Sequence, residues 1–471
     1  MLFAIIPPTF AAAFIKQSGL ISSIVFFVDL KENKSVSSLV DATTSVKLFE
    51  LFNFLMREEP TSPPLPNTST LISHLYKFHS KKISKLILEK KRFDMKYNPC
   101  MEENWEINLK VNIEKFLINL QDNENFYIFN PVMLGNTKHG RNLGLGFSCY
   151  ALKCFHMLGL WDNLDKKEKD SWVEYINSFQ KNINHLPEGS FVDKEVENFY
   201  NSLNSKLAIK NILKHLLNVV SNKKRPTNRQ KYLETIRAES KQAIATLNEV
   251  GYVNNKKYLE FPRTEVEINT FLDDLNWDTP WTTGAQFSAL CVFSATQLEE
   301  RERDKNIKYL YSYLDNVVNE KSGFYHINET IKDRELINGA MKVITGLDWI
   351  NKPIHYPEKL IDFCLNSDPS PEGCDIVDTV YVLFKCFNQS DYKKDEINSY
   401  FNNVKTIISQ HFDSKHKSFS YYRDKSQDFY YGLKITEGQN EPDIHGTTLL
   451  LWALSMIYSF QGNKDYKIIK P

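Results

Sequence analysis

The chain has 471 residues, of which 42% are hydrophobic and 25% are charged, a composition typical of folded globular proteins. Its 58 basic residues balance 58 acidic ones, so no overall field favours nucleic acid or an anionic membrane surface as a partner. Seven scattered cysteines without a CxxC pair indicate a reducing, cytoplasmic location rather than a disulfide framework.

The first hundred residues differ from the rest of the chain. A proline-rich connector at 58–66 separates short helical candidates, and residues 1–29 are apolar but interrupted by Pro7, Pro8 and Gly19. No clean run of about 20 apolar residues remains, as a membrane-spanning helix requires. We therefore interpret residues 1–100 as a helical appendage with no assigned chemistry, and residues 101–471 as the main domain.

From residue 101 onward, two kinds of helix alternate along the chain. The first kind carries one apolar stripe at i, i+3, i+4 and i+7 and an opposite charged face, as at 172–179, 307–318 and 397–408. The second kind is apolar on nearly every face and rich in small residues, as at 144–161, 284–295, 338–349, 375–387 and 443–458. Residues 234–250 are a more polar member of this second kind.

This alternation predicts two concentric layers of helices. Helices that are apolar all round must be buried on all sides, whereas helices with one stripe pack around them. Successive inner helices then run parallel, so their N-terminal loops collect at one end. Similar Gly/Ser-aromatic turns at 188–191, 321–325 and 417–421 indicate that one corner structure is reused, with its aromatic side chain between the layers.

The layout resembles the all-α, α/α toroid of squalene and terpenoid cyclases and of protein prenyltransferase β-subunits. The turns resemble the end of the repeated Gln-to-Trp motif of that superfamily, although the Gln and the final Trp are missing here. The resemblance covers residues 105–460. It implies an enzyme that binds a small molecule in a central cavity at the N-terminal end of the inner helices.

Residues at the predicted starts of the inner helices form the candidate site. Helix N-termini gather unpaired N–H groups and positive dipole ends, although Asp, Asn and Thr at such positions also serve simply as caps. We predict Asp378 and His445 as an acid/base or ligand pair, with Asp375 and Asp443 in support. The predicted substrate-binding residues are Arg141, Trp277, Asp278, Trp281, Asn338 and Tyr381.

The sequence contains only part of the ligand set that a zinc site requires. In the prenyltransferases that the layout resembles, an Asp and a Cys two residues later join a His from a later inner helix. Asp378 resembles that Asp and His445 that His, but Val380 stands in place of the Cys. Three protein ligands and an open position are the usual minimum for catalytic zinc. We therefore predict no cofactor, and regard a divalent metal as a hypothesis with an incomplete ligand set.

The signatures of the cyclases are also incomplete, because no Asp-x-Asp-Asp motif occurs. Residues 273–278 resemble the Asp-rich motif of ionising terpene synthases with one extra residue, but Thr279 and Pro280 indicate a loop that ends before the next helix.

Two alternative functions stay open. One is a carbohydrate-active toroid that binds a glycan between carboxylates and aromatic platforms. The other is a toroid that serves as a non-catalytic scaffold or ligand-binding module.

Overall fold

The computed structural model describes residues 105–206, 227–327 and 331–471. The predictions made for residues 1–100 lie outside these ranges. Within them, no helix is both long and apolar enough to span a membrane.

The regular secondary structure of the described part of the chain is almost entirely helical. Its helices are α1 (Leu109–Leu120), α2 (Lys138–Asn142), α3 (Leu145–Leu158), α4 (Leu160–Asn163), α5 (Lys166–Asn177), α6 (Lys194–Lys206), α7 (Asn228–Glu249), α8 (Glu265–Asp273), α9 (Pro280–Gln297), α10 (Glu300–Leu314), α11 (Asp333–Trp349), α12 (Pro357–Leu365), α13 (Gly373–Ser390), α14 (Lys394–Ser409) and α15 (Ile444–Phe460). Two short antiparallel hairpins pair β1 (Phe412–Asp413) with β2 (Ser418–Phe419) and β3 (Phe429–Tyr430) with β4 (Leu433–Lys434).

Six of these helices form a closed inner ring. In ring order they are α3, α7, α9, α11, α13 and α15; each packs on the next, and α15 packs back on α3. Helices α1, α5, α6, α10, α12 and α14 pack against the outside of this ring. The α/α toroid predicted from the two helix patterns is therefore confirmed.

Local sequence features explain where some inner helices begin and how closely two of them pack. Pro280 occupies the first turn of α9, where its missing N–H costs nothing, so the preceding segment is a loop as predicted. Helix α7, the most polar member, is closed by a capping box between Thr227 and Gln230. Helices α9 and α11 approach closely because Gly284 and Gly339 leave no side chain between them; a Cβ at Gly339 would lie 2.5 Å from Pro280.

The inner helices run parallel, as contacts at both ends show. At one end, the first turn of α9 reaches α11, where the Trp281 amide donates to Glu335, and Asn338 of α11 donates to Asp375 of α13. We call this N-terminal end of the ring the mouth. At the opposite end, which we call the floor, the chain segment 465–471 bonds to the ends of α3, α7 and α11.

The corner after an outer helix is built in the same way several times. A backbone bond runs from Val192 to Phe179, from His326 to Val317 and from Ser420 to His411. Each is accompanied by an antiparallel bridge, and a fourth bridge, between Gln121 and Phe129, follows α1. The aromatic residues of these corners are buried: Phe129, Phe191, Phe324, Tyr325 and Phe419. This confirms the reused corner predicted from the Gly/Ser-aromatic turns.

Candidate functional site

The mouth carries a continuous chain of contacts that links two buried acids. It starts at Glu239 of α7, whose Oε1 accepts a 2.7 Å hydrogen bond from Tyr430. The Tyr430 ring meets the edge of Tyr150, which stacks on His445. From His445, the side-chain contacts continue through Tyr421 and Cys374 to Asp378. We call this set the mouth arc: Glu239, Tyr430, Tyr150, His445, Tyr421, Cys374 and Asp378.

His445 lies in the second position of α15, between two tyrosine rings. Its imidazole stacks on Tyr150 with centroids 4.6 Å apart and on Tyr421 with centroids 5.3 Å apart. Nδ1 lies 2.7 Å from the carboxamide oxygen of Gln427, which can only accept, so Nδ1 carries the proton. Burial, with a smaller contribution from the positive charges of Lys342 and Lys153, lowers the pKa of His445 to about 3. The imidazole is therefore neutral, with the lone pair on Nε2.

Asp378 lies one turn after Cys374 on α13 and is only 2% exposed. Its Oδ2 is buried without a hydrogen-bond partner among the described residues. Burial raises its pKa to about 7; Lys342 acts in the opposite direction, and Asp375 raises the pKa further. A carboxyl with this pKa is divided between its acid and its ionised form at neutral pH, which suits a general acid or base.

Asp378 and His445 lie at the same end of the ring. Tyr421 connects them, because it stacks on His445 and donates from its hydroxyl to the Cys374 sulfur, 2.8 Å away. Lys342 acts electrostatically on both groups. The sequence-based prediction that the two residues act as a pair is compatible with this placement and stays a prediction.

Asp443 caps α15 and also binds the backbone of a neighbouring loop. Its Oδ1 accepts from the amide of Gly446, which caps α15, and its Oδ2 accepts from the amides of Tyr421 and Gln427. It therefore holds the loop that places the two neighbours of His445. Burial raises the pKa of Asp443 to about 6, although the backbone donors act in the opposite direction.

Asp375 joins two inner helices. Its carboxylate accepts from Asn338 of α11 at 2.7 Å and from Ser370 at 3.0 Å, and it lies 3.7 Å from the Arg334 guanidinium. These contacts occupy both oxygens. Asp375 and Asn338 therefore fix the relative positions of α11 and α13 at the mouth, whereas the neighbouring Asp378 has one oxygen without a partner in the described part of the chain.

Four other predicted site residues lie away from the arc. Trp277 is buried against Tyr313 of the outer layer and donates its indole N–H to Leu272, so it packs the core rather than a cavity. Asp278 is exposed in the loop before α9. Arg141 is exposed on α2, where it donates to the carbonyl of Asn136.

Tyr381 is the fourth, because it lies toward the floor. Its hydroxyl donates to Asp348, which also pairs with Lys385 at 2.7 Å and is 3.9 Å from Lys470 of the terminal segment. Trp281, by contrast, lies in the first turn of α9 at the mouth and is 38% exposed. A first-turn position on an inner helix thus predicts a residue at the mouth, and a position two turns later does not.

The structure adds residues that the sequence analysis did not single out. Glu239 is 1% exposed, and burial together with the charge of Asp193 raises its pKa to about 8, while hydrogen bonds from Tyr430 and from the backbone of Asp193 act in the opposite direction. Lys153, Lys241 and Lys342 lie on three different inner helices. A signal for these residues exists in the sequence, since Glu239 and Lys153 stand as charges on otherwise apolar stripes.

A metal centre is not assembled by the described residues, in which no three His, Cys, Asp or Glu side chains lie close enough together to hold an ion. Cys374, the thiol nearest to Asp378, accepts from Tyr421 instead. Burial raises the pKa of its thiol to about 11, and the charge of Asp378 raises it further. The thiol form is therefore favoured over the thiolate that a metal would need.

The chain matches no protein-family model and no curated protein. Among solved structures, a chain described as a possible member of the GH105 family from Salmonella enterica serovar Paratyphi A matches with 9% identity and a TM-score of 0.34. That match covers 78% of this chain and 97% of the other.

A type II terpene cyclase from Scytonema also matches, in two structures. With its product merosterolic acid A, it has 12% identity and a TM-score of 0.33 over 76% of this chain and 97% of its own. With its substrate geranylgeranyl dihydroxybenzoate, the identity and TM-score are the same, over 76% of this chain and 98% of its own. Structural similarity at this level gives no information about the reaction.

Proposed function

We propose that this chain is a toroid enzyme in which Asp378 transfers a proton to a small molecule bound at the mouth of the inner ring. The observation that supports this most strongly is the state of Asp378 itself. It is a buried carboxyl with a pKa raised to about 7, and one of its oxygens has no hydrogen-bond partner among the residues that the structure describes. Enzymes tune acids and bases toward the working pH in this way.

The remainder of the arc supplies what such a reaction needs. Tyr150 and Tyr421 enclose the imidazole of His445 between their rings, and aromatic rings next to a bound molecule stabilise positive charge on it. His445, neutral and with Nε2 as its acceptor, is suited to take up a proton from the substrate after Asp378 has given one. Asp443 and Asp375 position these groups through their hydrogen bonds.

The substrate class that we favour is an isoprenoid, since the terpenoid-cyclase-like layout implies acid-initiated cyclisation. In that reaction the Asp378 proton adds to a carbon–carbon double bond, and His445 removes a proton from the resulting cation. The cytoplasmic location inferred from the sequence belongs to this proposal. It is supported by the six unpaired cysteines of the described residues, as expected in a reducing compartment.

A carbohydrate-active enzyme is the second candidate, and Glu239 is the observation that favours it. Glycosidases work with two carboxyl groups of different protonation state. Glu239 is a second buried acid with a raised pKa, at the opposite end of the mouth arc from Asp378. In this reading, an oligosaccharide stacks on the tyrosine faces between the two acids.

The test is turnover of two substrate panels, one of farnesyl and geranylgeranyl compounds and one of aryl glycosides and uronides, followed by mass spectrometry. The Asp378→Asn enzyme is expected to lose about 100-fold or more in kcat, because general acid catalysis contributes about 10²–10⁴. Glu358→Gln, at an exposed acid of α12, is the control and should keep full activity. Equal turnover by wild type and Asp378→Asn would overturn the proposal.

Glu239→Gln separates the two candidates. If the substrate is an isoprenoid, this variant should retain most of its activity, because only Asp378 donates the initiating proton. If the substrate is a glycan, both single variants should lose activity on the glycoside panel. A folded protein that binds compounds from either panel without turning them over would favour the non-catalytic module.

A further inference from the structure

Three lysines lie on three different helices of the inner ring. Lys153 lies on α3, Lys241 on α7 and Lys342 on α11. In the closed ring, α3 and α11 are opposite one another, with two inner helices between them on either side. Lys342 nevertheless acts electrostatically on both Lys153 and Lys241. Groups from opposite helices interact in this way only if they converge on the central space.

These three ammonium groups have no ion-pair partner in the part of the chain that the structure describes. Lys153 is only 7% exposed, whereas Lys241 and Lys342 keep part of their surface accessible within the ring. The lysines of the floor are different, because Lys385 and Lys470 both lie against Asp348. Among the described residues, two lysines of the floor therefore share one acid, whereas Lys153, Lys241 and Lys342 have no ion-pair partner.

Burial lowers the pKa of Lys153 and lowers that of Lys241 well below its usual value, and the charge of Lys342 acts in the same direction on both. A buried lysine without a counter-charge therefore tends toward its neutral form, and a bound anion would restore the ammonium form. The positive ends of the inner helices point to the same side of the ring and add to the field of the lysines. Two acids act near the cluster: burial keeps Asp378 partly protonated at neutral pH, and Glu249 opposes the lowering of the Lys153 pKa, so together they balance only part of the positive charge. A ligand with negative charge would complete the group.

We propose that Lys153, Lys241 and Lys342 form an anion-binding subsite that holds the carboxylate or phosphate group of the molecule that reacts at the mouth arc. As a statement about substrate, this rests on the function proposed above. It places the anionic group below the arc, toward the centre of the ring, and the reacting part of the molecule beside Asp378 and His445. Lys342 connects the two regions, since it acts on both of those residues.

The test is thermal unfolding of the whole protein in increasing inorganic phosphate or acetate at constant ionic strength. Either anion should raise Tm in a saturable way, because a ligand that binds only the folded state stabilises it. Lys342→Met and Lys153→Met should each weaken the fitted Kd by about tenfold or more, which corresponds to the loss of one charge-assisted contact. Lys308→Met, at an exposed lysine of α10, is the matched control and should respond like wild type.

Two further readouts keep the result unambiguous. Without anion, Lys342→Met should be at least as stable as wild type, because it removes a charge that has no partner; a lysine with a purely structural role would lower Tm instead. Lys342→Arg should retain anion binding. The relative affinities for phosphate and acetate identify the anionic group, and equal responses to both anions in wild type, Lys342→Met and Lys153→Met would overturn the subsite.

Asp378→Asn distinguishes this proposal from the catalytic one. The variant should still bind the anion, and at least as tightly, because a negative charge near Lys342 is removed. If Asp378→Asn keeps full turnover while anion binding still depends on the lysines, the acid role fails and the subsite stands. If turnover depends on Asp378 but anion binding does not depend on the lysines, the subsite fails alone.

Discussion

Among the acids of the mouth, Asp378 differs in what its carboxyl oxygens contact. Asp443 gives both oxygens to backbone amides, and Asp375 gives both to side chains, whereas Asp378 retains Oδ2 without a partner among the described residues. Its pKa accordingly rises from 3.8 to about 7 through burial. Between those two values the folded protein holds a proton that the unfolded chain has released, so stability falls as the pH rises.

The pH dependence of unfolding should therefore report on Asp378. Relative to Asp378→Asn, wild type should lose free energy of unfolding on the order of 4 kcal/mol as the pH rises from about 4 to 7. Glu239→Gln is the comparison variant, and its difference from wild type should keep growing to about pH 8. Urea unfolding at several pH values measures both. A difference for Asp378→Asn that has levelled off by pH 5 would contradict the assigned pKa.

His445 should remain neutral far below the pH at which histidines usually titrate. Its pKa is lowered to about 3, so the unfolded chain takes up a proton below pH 6.5 that the folded protein does not, and this residue weakens the fold as the pH falls. NMR of labelled imidazole nitrogens should show Nδ1 protonated and Nε2 bare down to pH 5. Titration of His445 near pH 6.5 would show that the stack between Tyr150 and Tyr421 is open to water.

Sequence reasoning found some residues of the mouth and missed others for identifiable reasons. Asp378 and His445 could be singled out because a polar residue in the first turns of an all-apolar helix is unusual. Tyr421 and Gln427 could not, since they come from a loop whose path is fixed by Asp443 rather than by any periodicity. Tyr381 was expected at the mouth but lies at the floor side, because each helical turn advances about 5.4 Å along the axis.

At the scale of the element, α15 depends on its N-cap residue, Asp443, more than an ordinary helix does. Asp443→Ala removes an N-cap, worth about 1 kcal/mol, and also two charge-assisted bonds that hold Tyr421 and Gln427. We expect a loss of about 3 kcal/mol or more in the free energy of unfolding.

Thr264→Ala is the matched control for that change, because Thr264 caps an outer helix and holds no distant loop. It should cost only about 1 kcal/mol. Asp443→Ala should also release His445 from its neutral state, since the loop carrying Gln427 loses its anchor. Equal losses in the two variants would mean that Asp443 is no more than a cap.

At the scale of the whole described domain, the six inner helices form a closed ring, and this closure brings distant residues of the sequence together. The two helix patterns predict two layers, because the distribution of apolar residues around each helix indicates how many of its faces are buried. They do not predict which helices are opposite one another, so the convergence of Lys153 with Lys342 follows only from the ring order. Nor does any pattern predict that residues 465–471 close the floor, since that segment is held by single backbone and side-chain bonds.

Removing residues 465–471 should therefore open one end of the ring. Lys470 would no longer contact Asp348, and the carbonyl of Pro471 would no longer accept from the indole of Trp349. We expect a lower Tm and a red-shifted tryptophan emission as Trp349 becomes exposed to water. The pH dependence assigned to Asp378 should persist, because that residue lies at the opposite end; its loss on truncation would show that the two ends are not independent.

The central claim is that Asp378 is a carboxylic acid able to give a proton at neutral pH. Infrared difference spectra between wild type and Asp378→Asn test it without knowledge of the substrate, since a protonated carboxyl has a C=O band that a carboxylate lacks. We predict that this band is present in the difference spectrum at pH 6, decreases with a midpoint near pH 7 and is absent at pH 9. A carboxylate signal at all pH values above 5 would contradict the account.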